Sequence, residues 1–428
     1  MNTRRTAIQN IGALALGGLN LPFFHESHAK NIESALKSRA HLSAEELAKD
    51  DTFWYQVQKA FNPSPHFINL ENGYFSPQAT EVMEAQITNI RRINHIPSYY
   101  MRTDQFEDHL NVKKQLADLA GCTHEEIVIT RNTTESINTV IMGMDFEKGD
   151  EVILCDQDYG SMQEQFKQQA DRQGIVLKYV ELPLHPKSDE EIVGIYEKAI
   201  TPKTRIMLVS HLINISGQIL PVRKICDMAH THGVEVIVDG AHAFAQLDFK
   251  IPDLGADYFA ASLHKWLCCP LGAGLLYIKK EHIPKIWPLY GDVAAPKDSI
   301  RKFEHIGTRP VTTPLTISSA IKFHEMIGSE RKQERLRYLQ RYWTDIVRDL
   351  PKVNINTPIE KERSCAIANI AVEGMKPHEL SKYFFDEHRI FTVAINRKSV
   401  KGVRVTPHLY TSIKDLDKFV AAIEQLGS

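Results

Sequence analysis

The sequence predicts an α/β fold: a mainly parallel, seven-stranded sheet in a large domain, joined to a smaller α+β domain. Three observations predict it. Between residues 126 and 278, short runs rich in Val and Ile recur without period-two alternation, as strands buried on both faces require. Helix-like amphipathic stretches separate the earlier runs, and repeated β-α-β builds a parallel sheet covered by helices. After Pro310 the order changes to long helical patterns followed by short strands.

The strand candidates, in order, are 126–130, 151–155, 175–181, 205–210, 234–238, 258–262 and 274–278. Helical patterns at 134–144 and 222–232 lie between them. Beyond Pro310, helical periodicity covers about 314–350. Short strands follow around 366–372, 391–395 and 403–406, and a last helix spans 413–426. These runs set a large domain at 77–309 and a small one built from 30–76 with 310–428. In such sheets ligands gather at the carboxyl ends of the strands.

Residues 1–29 stand apart. Thr3-Arg4-Arg5 precedes an apolar stretch from Ile11 to Phe24, and Ser27-His28-Ala29 fits a small-x-small cleavage site. The apolar part is too short to span a bilayer, so the segment reads as a signal peptide. The paired arginines suit a twin-arginine signal, with an ordinary secretory signal as the alternative. Export of a folded protein through the twin-arginine machinery suits an enzyme that takes up its cofactor first. The expected mature chain is periplasmic and begins near Lys30.

Composition bounds the rest. The 428 residues carry 51 basic and 53 acidic side chains, a net charge of −2. That balance argues against nucleic-acid or membrane-surface partners. With 43% apolar and 24% charged residues, the chain falls among globular proteins with an ample core. The six cysteines follow neither zinc-site nor disulfide-framework spacing, so no metal site is expected, and any periplasmic disulfide is left unassigned.

The chemistry concentrates in Val238-Asp239-Gly240-Ala241-His242-Ala243 and Ser262-Leu263-His264-Lys265. Asp239 ends one apolar strand and Lys265 lies just past the next. Alone, Asp239 is an ordinary turn or capping residue and Lys265 an ordinary surface lysine. Paired at adjacent strand ends, they are what a pyridoxal phosphate site needs. The lysine links covalently to the cofactor, and the acid keeps the pyridine nitrogen protonated. Such a cofactor also needs an anion site. The stretch Thr130-Arg131-Asn132-Thr133-Thr134-Glu135 follows a strand and opens a helix, where free N–H groups and hydroxyls suit a phosphate. Ser262 and His264 could add donors.

These motifs resemble the class V aminotransferase family, a branch of pyridoxal phosphate fold type I (aspartate aminotransferase-like). They are Thr-Arg-Asn-Thr-Thr-Glu at 130–135, Val-Asp-Gly-Ala-His-Ala at 238–243 and Leu-His-Lys-Trp-Leu at 263–267. Within the family the chain is most similar to isopenicillin N epimerase-like proteins, and more distantly to cysteine desulfurases. The resemblance implies pyridoxal 5'-phosphate as cofactor and Lys265 as both its attachment point and the base at Cα. It implies Asp239 at the pyridine nitrogen, and His242 and Asn214 near the phenolic oxygen. Tyr159 and Ala241 would face the two sides of the ring. Thr133, Thr134, Ser262 and His264 would hold the phosphate. Thr308 would reach the phosphate of a partner subunit, implying a homodimer. Arg404 would take the substrate carboxylate by a forked pair of hydrogen bonds. Asn72-Gly73-Tyr74 and the segment Asn94–Arg102, with Tyr99, Tyr100 and Arg102, resemble loops that line the substrate entrance.

The implied reaction occurs at Cα of an amino acid or peptide-like substrate. Epimerisation, transamination and C–S cleavage share one carbanion, so the motifs do not choose among them. The periplasmic address also suits tailoring of a peptide siderophore, a second expectation. Desulfurases carry a cysteine shortly before the carboxylate-binding arginine. Residues 394–402 contain none, which argues against that reaction.

Overall fold

A computed structural model describes residues 26–292 and 294–427. The Arg4-Arg5 pair and the apolar run lie outside the described residues. The helix Glu26–Lys37 begins within the expected leader and runs through the expected cleavage point.

Thirteen strands make three sheets among the described residues. They are β1 (Ile68–Asn69), β2 (Ile127–Thr130), β3 (Glu151–Cys155), β4 (Val176–Val180), β5 (Thr204–Ser210), β6 (Glu235–Asp239), β7 (Tyr258–Ser262), β8 (Gly274–Ile278), β9 (Val353–Ile355), β10 (Ala368–Val372), β11 (Ile390–Phe391), β12 (Val393–Asn396) and β13 (Lys401–Val405). The main sheet has the order β2-β8-β7-β6-β5-β3-β4. Only β8 runs against the others, pairing antiparallel with β2 and β7. Strands β6, β7 and β8 are buried throughout, which explains their unbroken apolar runs. Two apolar clusters sandwich this sheet. One contains Ile153, Val209, Val238 and Trp266, the other Leu154, Leu208, Ile237 and Tyr258. Alternate residues of each strand therefore face opposite layers.

The second sheet, β12-β13-β10-β9, is antiparallel and packs on a third cluster around Trp343, Phe384 and Phe419. The long periodic stretch after Pro310 is two helices, Thr312–Ile327 and Ser329–Val347. Gly328 separates them with φ 92°, a conformation that ends a helix and that glycine adopts without strain. The N-terminal stretch joins the second sheet's side of the molecule. Strand β1 pairs with β11, and Arg335 donates to the Ala48 carbonyl and to Asp51. None of the described helices is long and apolar enough to cross a membrane.

Candidate active site

The parallel order brings the carboxyl ends of β2, β3, β5, β6 and β7 to one edge, and the loops leaving them enclose a cavity of about 290 Å³. The start of β8 meets the same edge, because Gly274 pairs with both Thr130 and Ser262. Ten of the residues expected at the cofactor line the cavity: Thr133, Thr134, Tyr159, Asn214, Asp239, Ala241, His242, Ser262, His264 and Lys265.

Asp239 is the last residue of β6 and is buried. Its Oδ1 accepts the Ala241 N–H at 2.9 Å. No hydrogen bond reaches Oδ2 among the described residues, which leaves that oxygen able to face a ring N–H. Burial raises the Asp239 carboxyl above its ordinary range, and the Lys265 charge and the Ala241 N–H oppose this. Lys265 is half-buried in the cavity wall. Burial lowers its ammonium to about 8, against the pull of Asp239 and with the help of the Arg404 charge. A lysine held there presents a nucleophilic amine near neutral pH.

His242 sets the state of that amine. Its Nε2 lies 3.0 Å from Lys265 Nζ, and the Trp266 indole N–H donates to its Nδ1 at 3.4 Å. Burial and the Lys265 charge keep the imidazole neutral. An indole N–H can only donate, so Nδ1 accepts and the imidazole proton sits on Nε2. That proton faces the lysine and favours its unprotonated form.

Another part of the cavity wall suits an anion. Asn132 caps the helix Thr133–Gly143 by accepting the Glu135 N–H at 2.9 Å. The Thr133 N–H and hydroxyl both meet Ser262 Oγ, at 3.0 and 2.8 Å. The Thr134 N–H has no partner among the described residues and points from the positive end of the helix. His264, held near 4 by burial and the Lys265 charge, is neutral and stacks on Phe75. A carboxylate, a lysine and a donor cradle lining one cavity fit pyridoxal phosphate.

Tyr159 is fixed by the residue before it. Asp158 is buried, accepting Ser210 Oγ and the Cys155 N–H, each at 2.7 Å. Burial pushes its carboxyl up to about 7. This tie between β3 and β5 places the ring of Tyr159 at the cavity wall.

The remaining expected residues lie elsewhere. Asn72 is fully buried, donating to the Thr406 carbonyl at 2.7 Å and accepting Tyr410 Oη at 2.6 Å. It does not line the cavity. Tyr100 is also off the cavity, buried with its hydroxyl on Asp108 at 3.1 Å. Tyr74, from the same expected loop as Asn72, does line the cavity, as does Phe75. Thr308 is exposed and lies outside this chain's cavity. Arg404 is fully buried behind Tyr74, and its guanidinium forks onto Glu71. Sequence reasoning did not single out Glu71. The available signal was an acidic side chain ending the apolar run before Asn72.

All six cysteines are free thiols, five of them buried, and none lines the cavity. Among the described residues no His, Cys, Asp and Glu group could hold a metal ion.

The aminotransferase class-V family model matches residues 76–419. An isopenicillin N epimerase of Amycolatopsis lactamdurans is 27% identical, over 88% of this chain and 99% of its own. A probable cysteine desulfurase of Halalkalibacterium halodurans is 29% identical, over 76% and 84%. The apo structure of a cysteine desulfurase from Thermococcus onnurineus superposes with a TM-score of 0.78 at 24% identity, over 87% and 97%. This chain therefore belongs to the aminotransferase class-V family, and is a pyridoxal phosphate-dependent enzyme of fold type I.

Proposed function

We propose that the protein acts at the amino-bearing carbon of an amino acid or peptide-like substrate, with isopenicillin N epimerase-like chemistry. The carrying observation is Lys265, an amine whose ammonium burial lowers to about 8, lining one cavity with the Asp239 carboxylate and the Thr133–Ser262 cradle. Bound pyridoxal phosphate supplies an electron sink for charge that develops at Cα.

The chain's own residues do the rest. Lys265 Nζ would hold the cofactor, and as a free amine it would move the proton at the substrate Cα. His242 Nε2–H orients that amine from 3.0 Å. The Asp239 carboxyl, whose proton affinity burial raises, would accept a hydrogen bond from the cofactor's ring nitrogen. Tyr159 and Ala241, both in the cavity wall, would hold the cofactor's ring. Desulfurase chemistry needs a thiol at the reacting centre, and no cysteine lines this cavity. Burial pushes the Cys365 thiol up to about 12, far from a nucleophile's range.

The reading includes a homodimer, with Thr308 contributing to the partner's site from its exposed segment. It also includes twin-arginine export to the periplasm, resting on Arg4-Arg5 and the apolar run that follows.

The test incubates yellow holoenzyme in heavy water with amino acids and small peptides. The expected result is deuterium and lost chirality at Cα while the chromophore persists. A bleached chromophore with an oxidised substrate carbon would make the protein an aminotransferase instead. Lys265→Ala should abolish both exchange and borohydride trapping of the cofactor. Exchange that survives this substitution would remove the lysine from the mechanism.

A further inference from the structure

We infer that Lys332 is a positioning residue: it grips the Trp266 main chain from outside the cavity and, through the Trp266 indole, aims His242 at Lys265. This rests on the proposed reading of Lys265 as the reacting amine.

Local rules argue against a lysine at 332. It lies in the first turn of the helix Ser329–Val347, at the positive end of the helix dipole. It is 3% exposed, where lysines are found only with a partner. Burial disfavours its ammonium, and the groups that oppose this are the thiols of Cys268, Cys269 and Cys365 rather than a carboxylate. His324 and His408 also face it, and burial and the Lys332 charge keep both neutral. The partner that Lys332 does have is the Trp266 carbonyl, to which its Nζ donates. A residue kept against burial, dipole and pairing points to a geometry that serves the site.

The turn it grips is the one that carries Lys265. Cys268 has φ 58°, a left-handed backbone that a residue with a Cβ adopts only under constraint. The Cys269 N–H closes the turn on the Leu263 carbonyl at 3.1 Å. Cys268 Sγ lies 3.4 Å from His408 Nε2 and 3.7 Å from the Trp266 carbonyl. Trp266 is thus held at both ends, its carbonyl by Lys332 and its ring by the stack on His408. That leaves one direction for its indole N–H, onto His242 Nδ1 at 3.4 Å, and His242 Nε2 then stands 3.0 Å from Lys265 Nζ. The charges that shift Lys265 itself are those of Asp239, Arg404 and Glu71, so Lys332 acts on the amine by geometry and not by its own field.

The test reads the Lys265 amine directly. The full chain, dialysed free of cofactor, is labelled with trace acetic anhydride across pH 6–10, and acetylation of Lys265 is followed by mass spectrometry. Lys332→Met should raise the Lys265 midpoint by roughly half a unit, as expected when part of one neutral hydrogen bond is lost. Trp266→Phe should raise it by at least as much, and the double variant no further than Trp266→Phe alone. If Lys332→Met does not fold, Lys332→Gln replaces it, because its shorter side chain stays polar but slackens the grip, and the same comparison is made. A midpoint that the substitution at 332 leaves unmoved overturns the inference, since a merely structural lysine would change Tm alone. Shifts that add in the double variant overturn it as well, because the Lys332 charge would then act through space. Adding pyridoxal phosphate to the same samples tests the cofactor reading separately. A protein that stays colourless would remove that reading while the Lys265 midpoints remained measurable.

Discussion

At the scale of single residues, the distinctive feature is the chain of contacts Trp266–His242–Lys265. Trp266 has no exposed surface and stacks on His408, with centroids 5.5 Å apart, so its indole N–H is fixed in direction. That direction decides which imidazole nitrogen carries the proton, and so whether Lys265 faces a donor or an acceptor. Capture of pyridoxal phosphate needs the neutral amine. Its rate should climb with pH and level off above about 8, the value to which burial lowers Lys265. Trp266→Phe keeps the stack but removes the donor. His242 can then protonate Nδ1 and accept from the lysine ammonium at Nε2. One neutral hydrogen bond of about 1 kcal/mol corresponds to roughly 0.7 unit, so the midpoint should move up by about that much. Stopped-flow absorbance across pH 6–10 reads it. An unmoved midpoint would mean that the indole does not set the tautomer.

At the scale of elements, the phosphate cradle depends on how closely β8 approaches the loop after β2. A Cβ on Gly274 would lie 2.5 Å from the Asn132 nitrogen and 2.6 Å from Thr130 Oγ1. Neither atom belongs to a flexible side-chain end, so Gly274→Ala must shift the loop that caps the helix Thr133–Gly143. We expect cofactor affinity to fall by roughly tenfold or more, a loss of about 1–3 kcal/mol from misplaced donors. Fluorescence titration with pyridoxal phosphate measures it, and an unchanged affinity would show that the loop tolerates the shift. Much of this architecture is legible in the sequence because local signals agree with it. The β3, β7 and β8 boundaries match the apolar runs to the residue. Asp239 and Lys265 stand out because a strand end puts them at one edge. What was not legible depends on distant partners. Strand β1 is two residues long and exists through its pairing with β11. Glu71 matters only because folding brings Arg404, far along the chain, onto it. Asn72 and Tyr100 were expected at the entrance from their neighbourhood in sequence. The hydrogen bonds that bury them, to Thr406, Tyr410 and Asp108, are invisible in local pattern.

At the scale of the whole molecule, the sheet carries charge at both ends, and the two ends do different work. The carboxyl edge holds the cavity. At the other edge, Glu235 opens β6 and Asp257 precedes β7, and both meet His282 from the segment after β8. His282 Nε2 lies 3.1 Å from Asp257 Oδ1, and Nδ1 lies 3.4 Å from Glu235 Oε1. Tyr258 Oη and Lys285 Nζ also donate to Glu235, at 2.8 and 2.9 Å. His230 joins from its helix, 2.9 Å from Asp257. The cluster ties β6, β7 and the following segment together by charge, away from the chemistry. Burial opposes a charge on His282, but its hydrogen bonds to Asp257 and Glu235 outweigh this and raise it to about 9. A raised histidine stabilises the folded state fully below its unfolded value near 6.5. That contribution fades as pH climbs through about 9. His282→Gln should therefore destabilise the protein at pH 6, by about 1–2 kcal/mol after allowance for partial solvation. The deficit should shrink above pH 9.5, where the wild-type ring is neutral as well. Thermal unfolding of both proteins at the two pH values provides the comparison. An equal Tm gap at both would assign the loss to packing around the ring rather than to its charge.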